Sequence, residues 1–499
     1  MALSNLESLR FFSPESCLVV GIMLILVVDL LRRGLSRRTA SGLALIALAA
    51  SGVAMLATGD GQSRGLFGGL VARDPFSDFW KVLFLGVTAL VGVVATRSKE
   101  TIDYTDGDKD AAEFYALNLA VCLGLFLMAS STDMLMAYLA IEFVSILSFI
   151  LAGYKRRNRK SSEAALKYAV YGGVASGVML YGLSLLYGMS GSLSFAAIHQ
   201  AAVVNASPTT LILAVTLSMA GFGYKIASVP FHMWCPDVYE GAPTPITAFL
   251  SVGPKAAGFA LLMRFFGAAV PMDLPTTAGA LFGNNPWPLF IGVISIATMT
   301  LGNLVAVVQQ NVKRMLAYSS IAHAGYLLLG LAVLSPESQH AMMFYLVAYL
   351  FMNIGAFVVV VALAEKGFGE TIDDFKGLGY RASFVGIVMS AFLFSLTGLP
   401  PTVGFAGKFL LFAAMLEKGG TLLAVLALIG VLNSAISLYY YARILKAMWF
   451  DKPATEDAVV IDRSHGIVLG MMAVPTIALG LFWGPLQAWA ERSFHMWTQ

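Results

Sequence analysis

The sequence predicts an all-α polytopic membrane protein with about fourteen transmembrane helices. Of its 499 residues, 58% are hydrophobic and 12% charged, whereas a soluble domain carries ~45–50% and ~25%. The apolar residues gather into continuous stretches of the length that crosses a bilayer, about 20 residues. These stretches are rich in Leu, Ala, Val and Gly and do not alternate polar with apolar, as the strands of a membrane barrel would. A soluble enzyme is excluded. A nucleic-acid binder is excluded too, because the net charge is only +3 and the basic residues form no face. Cys17, Cys122 and Cys235 are the three cysteines. They lie far apart without a CxxC pair, which speaks against disulfides and against cysteine-bound zinc or iron–sulfur clusters.

In chain order the spans are expected at about 13–31, 39–58, 75–96, 111–130, 134–153, 163–188, 209–229, 243–270, 287–308, 315–334, 339–364, 383–400 running on to 417, 420–448 and 465–490. The start carries Glu7 and Arg10 but no basic run leading into a short apolar core, so the first span is expected to be retained. Cytoplasmic loops are enriched in Lys and Arg. With the N-terminus outside, 21 of the 32 basic residues fall in cytoplasmic loops and 5 in outer segments. The cytoplasmic set includes Arg32, Lys99, Lys109, the run Lys155–Lys160 with Arg156, Lys313, Arg314 and Arg443. Both termini are therefore expected outside.

The middle of the chain echoes itself. Met136-Ala137-Tyr138-x-x-Ile141 returns as Leu316-Ala317-Tyr318-x-x-Ile321, and Gly221-Phe222-x-x-Lys225 returns as Gly404-Phe405-x-x-Lys408. Leu250-x-x-x-x-Lys255 faces Leu428-x-x-x-x-Asn433 at nearly the same offset. Four segments follow: a three-helix segment over 1–110, a five-helix repeat over 111–270, a second over 287–448, and a loop with the last helix over 449–499. Five spans per repeat turn the second upside-down relative to the first, the inverted arrangement of many transporters. Pro230 follows Lys225, and Pro400-Pro401 precede Lys408. Proline removes a backbone donor, so each repeat is expected to hold one broken helix with a lysine beside unwound backbone. Such backbone is tolerated at membrane depth only inside protein or beside a wet cavity.

Six basic residues remain inside spans: Lys81, Lys167, Lys225, Lys255, Arg264 and Lys408. A lysine at mid-bilayer costs roughly 3 kcal/mol or more. Lys81 with Asp78, and Arg264, stand near span ends and are expected to snorkel. Lys167 lies four residues from Glu163 on one helical face and fits a surface pair. Glu142 is the clearest carboxylate at depth, and Lys225 is its best partner. Lys255 follows Pro254 at mid-span with no carboxylate within a turn, and Lys408 likewise has none. An ammonium without water or counter-charge gives up its proton readily. His232, beside the first break, can relay a proton or cap a helix end, and His323 and Tyr318 are candidates to line a wet path. There is no nucleophile triad, and GxG patterns such as Gly221-Phe222-Gly223 fall inside a span, where no dinucleotide site forms. A lysine row conducts protons by alternating between ammonium and amine with waters between.

The run from Pro230-Phe231-His232-Met233-Trp234-Cys235-Pro236-Asp237-Val238-Tyr239-Glu240-Gly241 to Ala242-Pro243-Thr244-Pro245 closely resembles the signature after the broken helix in the N-subunit family of bacterial NADH–quinone oxidoreductase, respiratory complex I. Gly398-Leu399-Pro400-Pro401-Thr402-Val403-Gly404-Phe405-x-Gly407-Lys408 resembles that family's second broken helix. The resemblance spans about 10–490. It implies an antiporter-like, proton-pumping subunit of the membrane arm, packed among other membrane-arm subunits in the inner membrane. The family's essential glutamate then falls on Glu142, its broken-helix lysine on Lys225, and its further lysines on Lys167, Lys255 and Lys408. The family's NADH, FMN, iron–sulfur clusters and quinone belong to other subunits, so no cofactor is expected in this chain. Sister subunits, including those of multisubunit cation/proton antiporters, read His-x-Trp-Leu-Pro-Asp-Ala-His where this chain has Cys235 and Val238-Tyr239. A subunit of such an antiporter, or of a membrane-bound hydrogenase, is the alternative.

Overall fold

The computed structural model describes residues 3–98, 111–155, 157–204, 207–271, 285–453 and 457–496. Lys99, Lys109 and Arg156 of the orientation count lie outside them. Twenty α-helices and one small hairpin organise the described residues. The first segment holds α1 (Asn5–Phe11), α2 (Ser13–Arg32), α3 (Arg37–Thr58), the hairpin of β1 (Arg64–Leu66) and β2 (Val71–Arg73), and α4 (Pro75–Arg97). The first repeat holds α5 (Ala111–Ser130), α6 (Met134–Ala152), α7 (Arg159–Ser190), the short α8 (Phe195–Val204), the pair α9 (Pro208–Ile226) and α10 (Trp234–Gly241), and α11 (Thr244–Ala268). The second repeats that order. It holds α12 (Trp287–Val308), α13 (Val312–Val333), α14 (Pro336–Ala364), the one-turn α15 (Leu378–Arg381), the pair α16 (Ser383–Thr397) and α17 (Val403–Lys418), and α18 (Thr421–Trp449). The chain closes with α19 (Arg463–Leu481) and α20 (Gly484–Ser493), so the span expected over 465–490 is two helices with a break between them.

Thirteen of these helices are long and apolar enough to cross a membrane. With the broken pair α16–α17 they make the fourteen expected spans. Side chains set the helix starts. Asp133, Asn158 and Asn311 each accept a backbone N–H of the first turn of α6, α7 and α13, as polar N-caps do.

Contacts between loops sort the helix ends onto two faces. On one face Lys160 meets Glu240, Arg314 meets Asp237, Lys313 meets Glu370, and Lys366 meets Asp462. On the other, Thr132 N donates to Leu70 O and Met134 N to Leu193 O, while His340 and Phe76 both meet the Phe494 ring. Helix α5 therefore runs from the basic face to the opposite face, and its counterpart α12 runs the other way. That is the inversion an odd number of spans demands.

The centre of the bundle is α11, α13 and α14, which are buried nearly all round. Two charges expected to snorkel are instead sealed inside. Arg264 and Asp74 are 0% exposed and form a two-pronged pair at 2.8 and 2.9 Å. Lys81 reaches Glu15 at 2.8 Å, both side chains 2% exposed, and stands 3.8 Å from Asp78. Linear distance to a span end gave no hint of partners brought in by other helices. Asp74 also caps α4 through Ser77 N, so one carboxylate fixes a helix start and a helix–helix contact.

Removing one member of a buried pair strands the other charge at a cost of about 3–5 kcal/mol. Arg264→Met should therefore lower the thermal midpoint of the purified protein sharply. The double variant Arg264→Met with Asp74→Asn, which keeps the cap, should recover most of the loss. Equal melting of single and double variants would contradict this account.

Candidate functional site

The two helix breaks are built alike. Helix α9 ends at Ala227, whose φ of 59° is left-handed, with Ser228 N donating to Gly223 O at 2.8 Å. Helix α16 ends at Gly398, φ 89°, with Leu399 N donating to Phe394 O at 3.1 Å. Glycine adopts such a φ at little cost; at Gly398 a Cβ would also meet Lys408 Cδ at 2.8 Å. The prolines follow at once, so neither helix resumes its ladder until Trp234 or Val403.

Lysine ammonium groups sit where these breaks leave acceptors. Lys408 is 4% exposed. Its Nζ donates to the free carbonyls of Leu396 at 3.2 Å and Thr397 at 2.8 Å, and to Ser434 Oγ at 2.8 Å. A cation at the carbonyl end of a helix is favoured by the helix dipole. The same ammonium lies 4.5 Å from the centre of the Tyr326 ring. Lys225, in the last turn of α9 and 1% exposed, donates to Ser145 Oγ at 3.0 Å. Ser145 in turn donates to Ile141 O at 2.7 Å, so its lone pair is left to the ammonium.

Lys255 stands between them on α11, 3% exposed. Its Nζ makes a short bond with Ser320 Oγ and lies 5.6 Å from the Tyr239 ring centre. One turn above Ser320 on α13 is His323, 2% exposed, whose Nδ1 bonds Tyr345 OH at 2.6 Å. The His323 ring also lies 5.0 Å from that of Tyr349 and 5.7 Å from that of Tyr326. Close approach of the first two lysines depends on Gly258, one turn beyond Lys255. A Cβ there would stand 3.4 Å from Lys225 Cγ and 2.8 Å from Ile226 Cγ2. The order through the core is thus Lys225, Lys255, Ser320, His323 with Tyr345, then Tyr326 and Lys408. Lysine amines, imidazole and hydroxyls all both accept and release a proton.

Three expected site residues stand apart from this row. Glu142, half-buried, accepts a short bond from Ser176 and forms no direct ion pair with Lys225. Ser145, one turn along the same helix from Glu142, takes the bond from Lys225 instead. Lys167 is 38% exposed and bonds Asp237 at 2.6 Å and Glu163 at 2.8 Å. It lines a cavity at the basic face with Lys160, Glu240 and Arg314. The cause is the length of α7: 32 residues reach about 48 Å at 1.5 Å per residue, so its first turns rise toward that face. His232 is 7% exposed and bonds none of the lysines; among the described residues its Nδ1 makes no hydrogen bond. Tyr318 is half-buried and outside the row, whereas His323 is in it.

Ser145 and Ser320 gave no sequence signal, since serine is common in membrane helices. Tyr345, Tyr349 and Asn353 did carry one. They recur every fourth residue along an otherwise apolar helix and therefore share a face. Lys313, counted among the loop residues, is 1% exposed and bonds Ala242 O and Glu370.

Residues 131–437 match the family model for the membrane subunits of NADH:quinone oxidoreductase and Mrp antiporters. Full-length relatives narrow the match. The chain is 47% identical to "NADH-quinone oxidoreductase subunit N 2" of Sorangium cellulosum, with 99% of each chain covered. It is 45% identical to "NADH-quinone oxidoreductase subunit N" of Anaeromyxobacter sp., covering 99% of this chain and 98% of the relative. The chain belongs to the N-subunit family of NADH-quinone oxidoreductases. Among solved structures, a chain of respiratory complex I from Thermus thermophilus superposes with TM-score 0.78 at 30% identity, covering 95% of this chain and 98% of that one. A chain of the Mrp complex from Dietzia sp. superposes with TM-score 0.82 at 20% identity, over 98% and 97% of the two chains, and so shares the fold.

Tyr345→Phe removes the hydroxyl that pairs with His323 Nδ1. Stranding a buried polar group costs about 1–3 kcal/mol. The variant should melt at a lower temperature than wild type in a thermal scan of the purified protein. Tyr318→Phe, outside the row, supplies the comparison and should melt as wild type. Equal melting of the two variants would show that the pairing with His323 contributes nothing.

Proposed function

We propose that this chain is a proton-conducting membrane-arm subunit of an NADH–quinone oxidoreductase, driven by electron transfer in other subunits. The observation that carries it is the row of buried lysines across the centre of the bundle, each bonded to a serine hydroxyl, with the His323–Tyr345 pair placed between Lys255 and Lys408. Among the described residues each of these lysines lacks a carboxylate partner, while the structural cations Arg264 and Lys81 have one. A buried amine without a counter-charge can pass between charged and neutral forms, as a proton carrier requires. NADH, FMN, iron–sulfur clusters and quinone are assigned to partner subunits.

In this reading protons enter from the basic, cytoplasmic face by way of Lys167 and His232 and reach Lys225. Glu142 biases Lys225 between charged and neutral, with Ser145 as intermediary. Lys255 is the central carrier, and Lys408 releases outward. The gate lies between Lys255 and Lys408, where Ser320, His323 and Tyr345 stand, because a path open to both sides would leak. Each charge moved against 100 mV costs about 2.3 kcal/mol. The membrane is the bacterial inner membrane, with both termini outside; the clustering of basic loops on one face supports this orientation.

Glu142→Gln and Lys255→Ala should each depress quinone-dependent proton pumping in the assembled complex. Both should leave NADH oxidation by artificial acceptors unchanged, since electron entry is elsewhere. Wild-type pumping in both variants would remove the proposed roles.

Lys408→Arg should keep the charge and block release, because arginine does not deprotonate in proteins. Proton uptake into sealed vesicles should fall severalfold with assembly intact. Full pumping would place the outward path elsewhere.

A further inference from the structure

One cluster on the basic face takes no part in the lysine row. Helix α14 ends with Glu365 as its C-cap, and Asp462 is the N-cap of α19, whose first turn carries His465. His465 is 1% exposed, yet among the described residues neither ring nitrogen makes a hydrogen bond. Buried polar atoms are nearly always satisfied, so this imidazole requires an explanation. Glu365 Oε2 stands 3.5 Å from its Nδ1, an ion-pair separation longer than the usual distance of about 2.7–3.2 Å in a hydrogen bond. A ring nitrogen of His465 and one carboxylate oxygen each of Glu365 and Asp462 lie within 4.8 Å of one another.

We propose that His465, Glu365 and Asp462 bind a divalent transition-metal ion of the zinc class. One imidazole nitrogen and two carboxylate oxygens are donors that zinc accepts, with bonds of about 2.0–2.2 Å and a fourth position left for water. Magnesium and calcium want six or more oxygens and are poorly served here. Asp462 is 48% exposed and accepts from Lys366 Nζ at 3.2 Å, so it turns from that ammonium to the metal as the site closes. The ion would tie the end of α14 to the start of α19. Helix α14 carries Tyr345, and α19 packs through Gly480 against Pro401 and Thr402 at the second break. The site thus joins the two helices that buttress the outward half of the row.

The test uses the assembled complex, washed with chelator and titrated with zinc chloride. Bound zinc is read by mass spectrometry, and affinity by competition with a chromophoric chelator. His465→Ala and Asp462→Asn should each bind one zinc per complex fewer than wild type. Asp462→Asn, at the exposed rim, also guards against a folding failure at His465. Lys366→Ala removes the competing ammonium and should keep the full stoichiometry while tightening that zinc by about threefold, the size of a surface ion pair. A merely structural cluster would show no such tightening. Equal zinc uptake by wild type and Asp462→Asn, or unchanged affinity in Lys366→Ala, would overturn the assignment.

Discussion

An ammonium group inside a bilayer survives only where protein replaces its water, and the architecture of this chain follows from that requirement. Lipid supplies no acceptors. The chain supplies them by breaking two helices, which frees carbonyls such as Leu396 and Thr397 at depth, and by placing Ser145, Ser320 and Ser434 at the ends of lysine side chains. The breaks in turn need residues that leave the helix sharply. Ala227 and Gly398 turn left-handed, and the following prolines stop the ladder from re-forming.

The buried cations divide into two physical classes. Arg264 and Lys81 have carboxylates at hydrogen-bond distance and hold helices of the first segment against one another and against the first repeat. Lys225, Lys255 and Lys408 have neutral oxygens and, for the last two, aromatic faces instead. A carboxylate would fix the proton on the amine; a hydroxyl or a carbonyl solvates it without fixing it. In the proposed function the paired cations hold the bundle together, and the lysines set among neutral oxygens carry its protons.

Packing serves the same end. Gly258 lets Lys225 lie against α11, and Gly407 leaves room for the Tyr345 ring beside α17. Small residues at helix contacts bring backbones close in membranes, where lipid is as apolar as the helix surface and close packing must supply the attraction. In this chain they also shorten the gaps between titratable groups.

Composition and run length alone determined the fold class and the span count, because the bilayer imposes its thickness and its chemistry on each helix locally; the echo of Gly221-Phe222-x-x-Lys225 in Gly404-Phe405-x-x-Lys408 added the inverted repeat. Pro230 and Pro400-Pro401 likewise marked the breaks, and the lysines beside them were legible as residues too costly to be idle. Partnership was not legible. That Arg264 meets Asp74, 190 positions away, that Lys167 is drawn to Asp237 at the surface, and that Ser320 and His323 bridge Lys255 toward Lys408 are decided by which helix faces touch. A serine carries little signal in an apolar helix, since it tolerates either lipid or core. Only the tertiary packing of α11, α13 and α14 brought Ser320, His323 and Tyr345 together between Lys255 and Lys408.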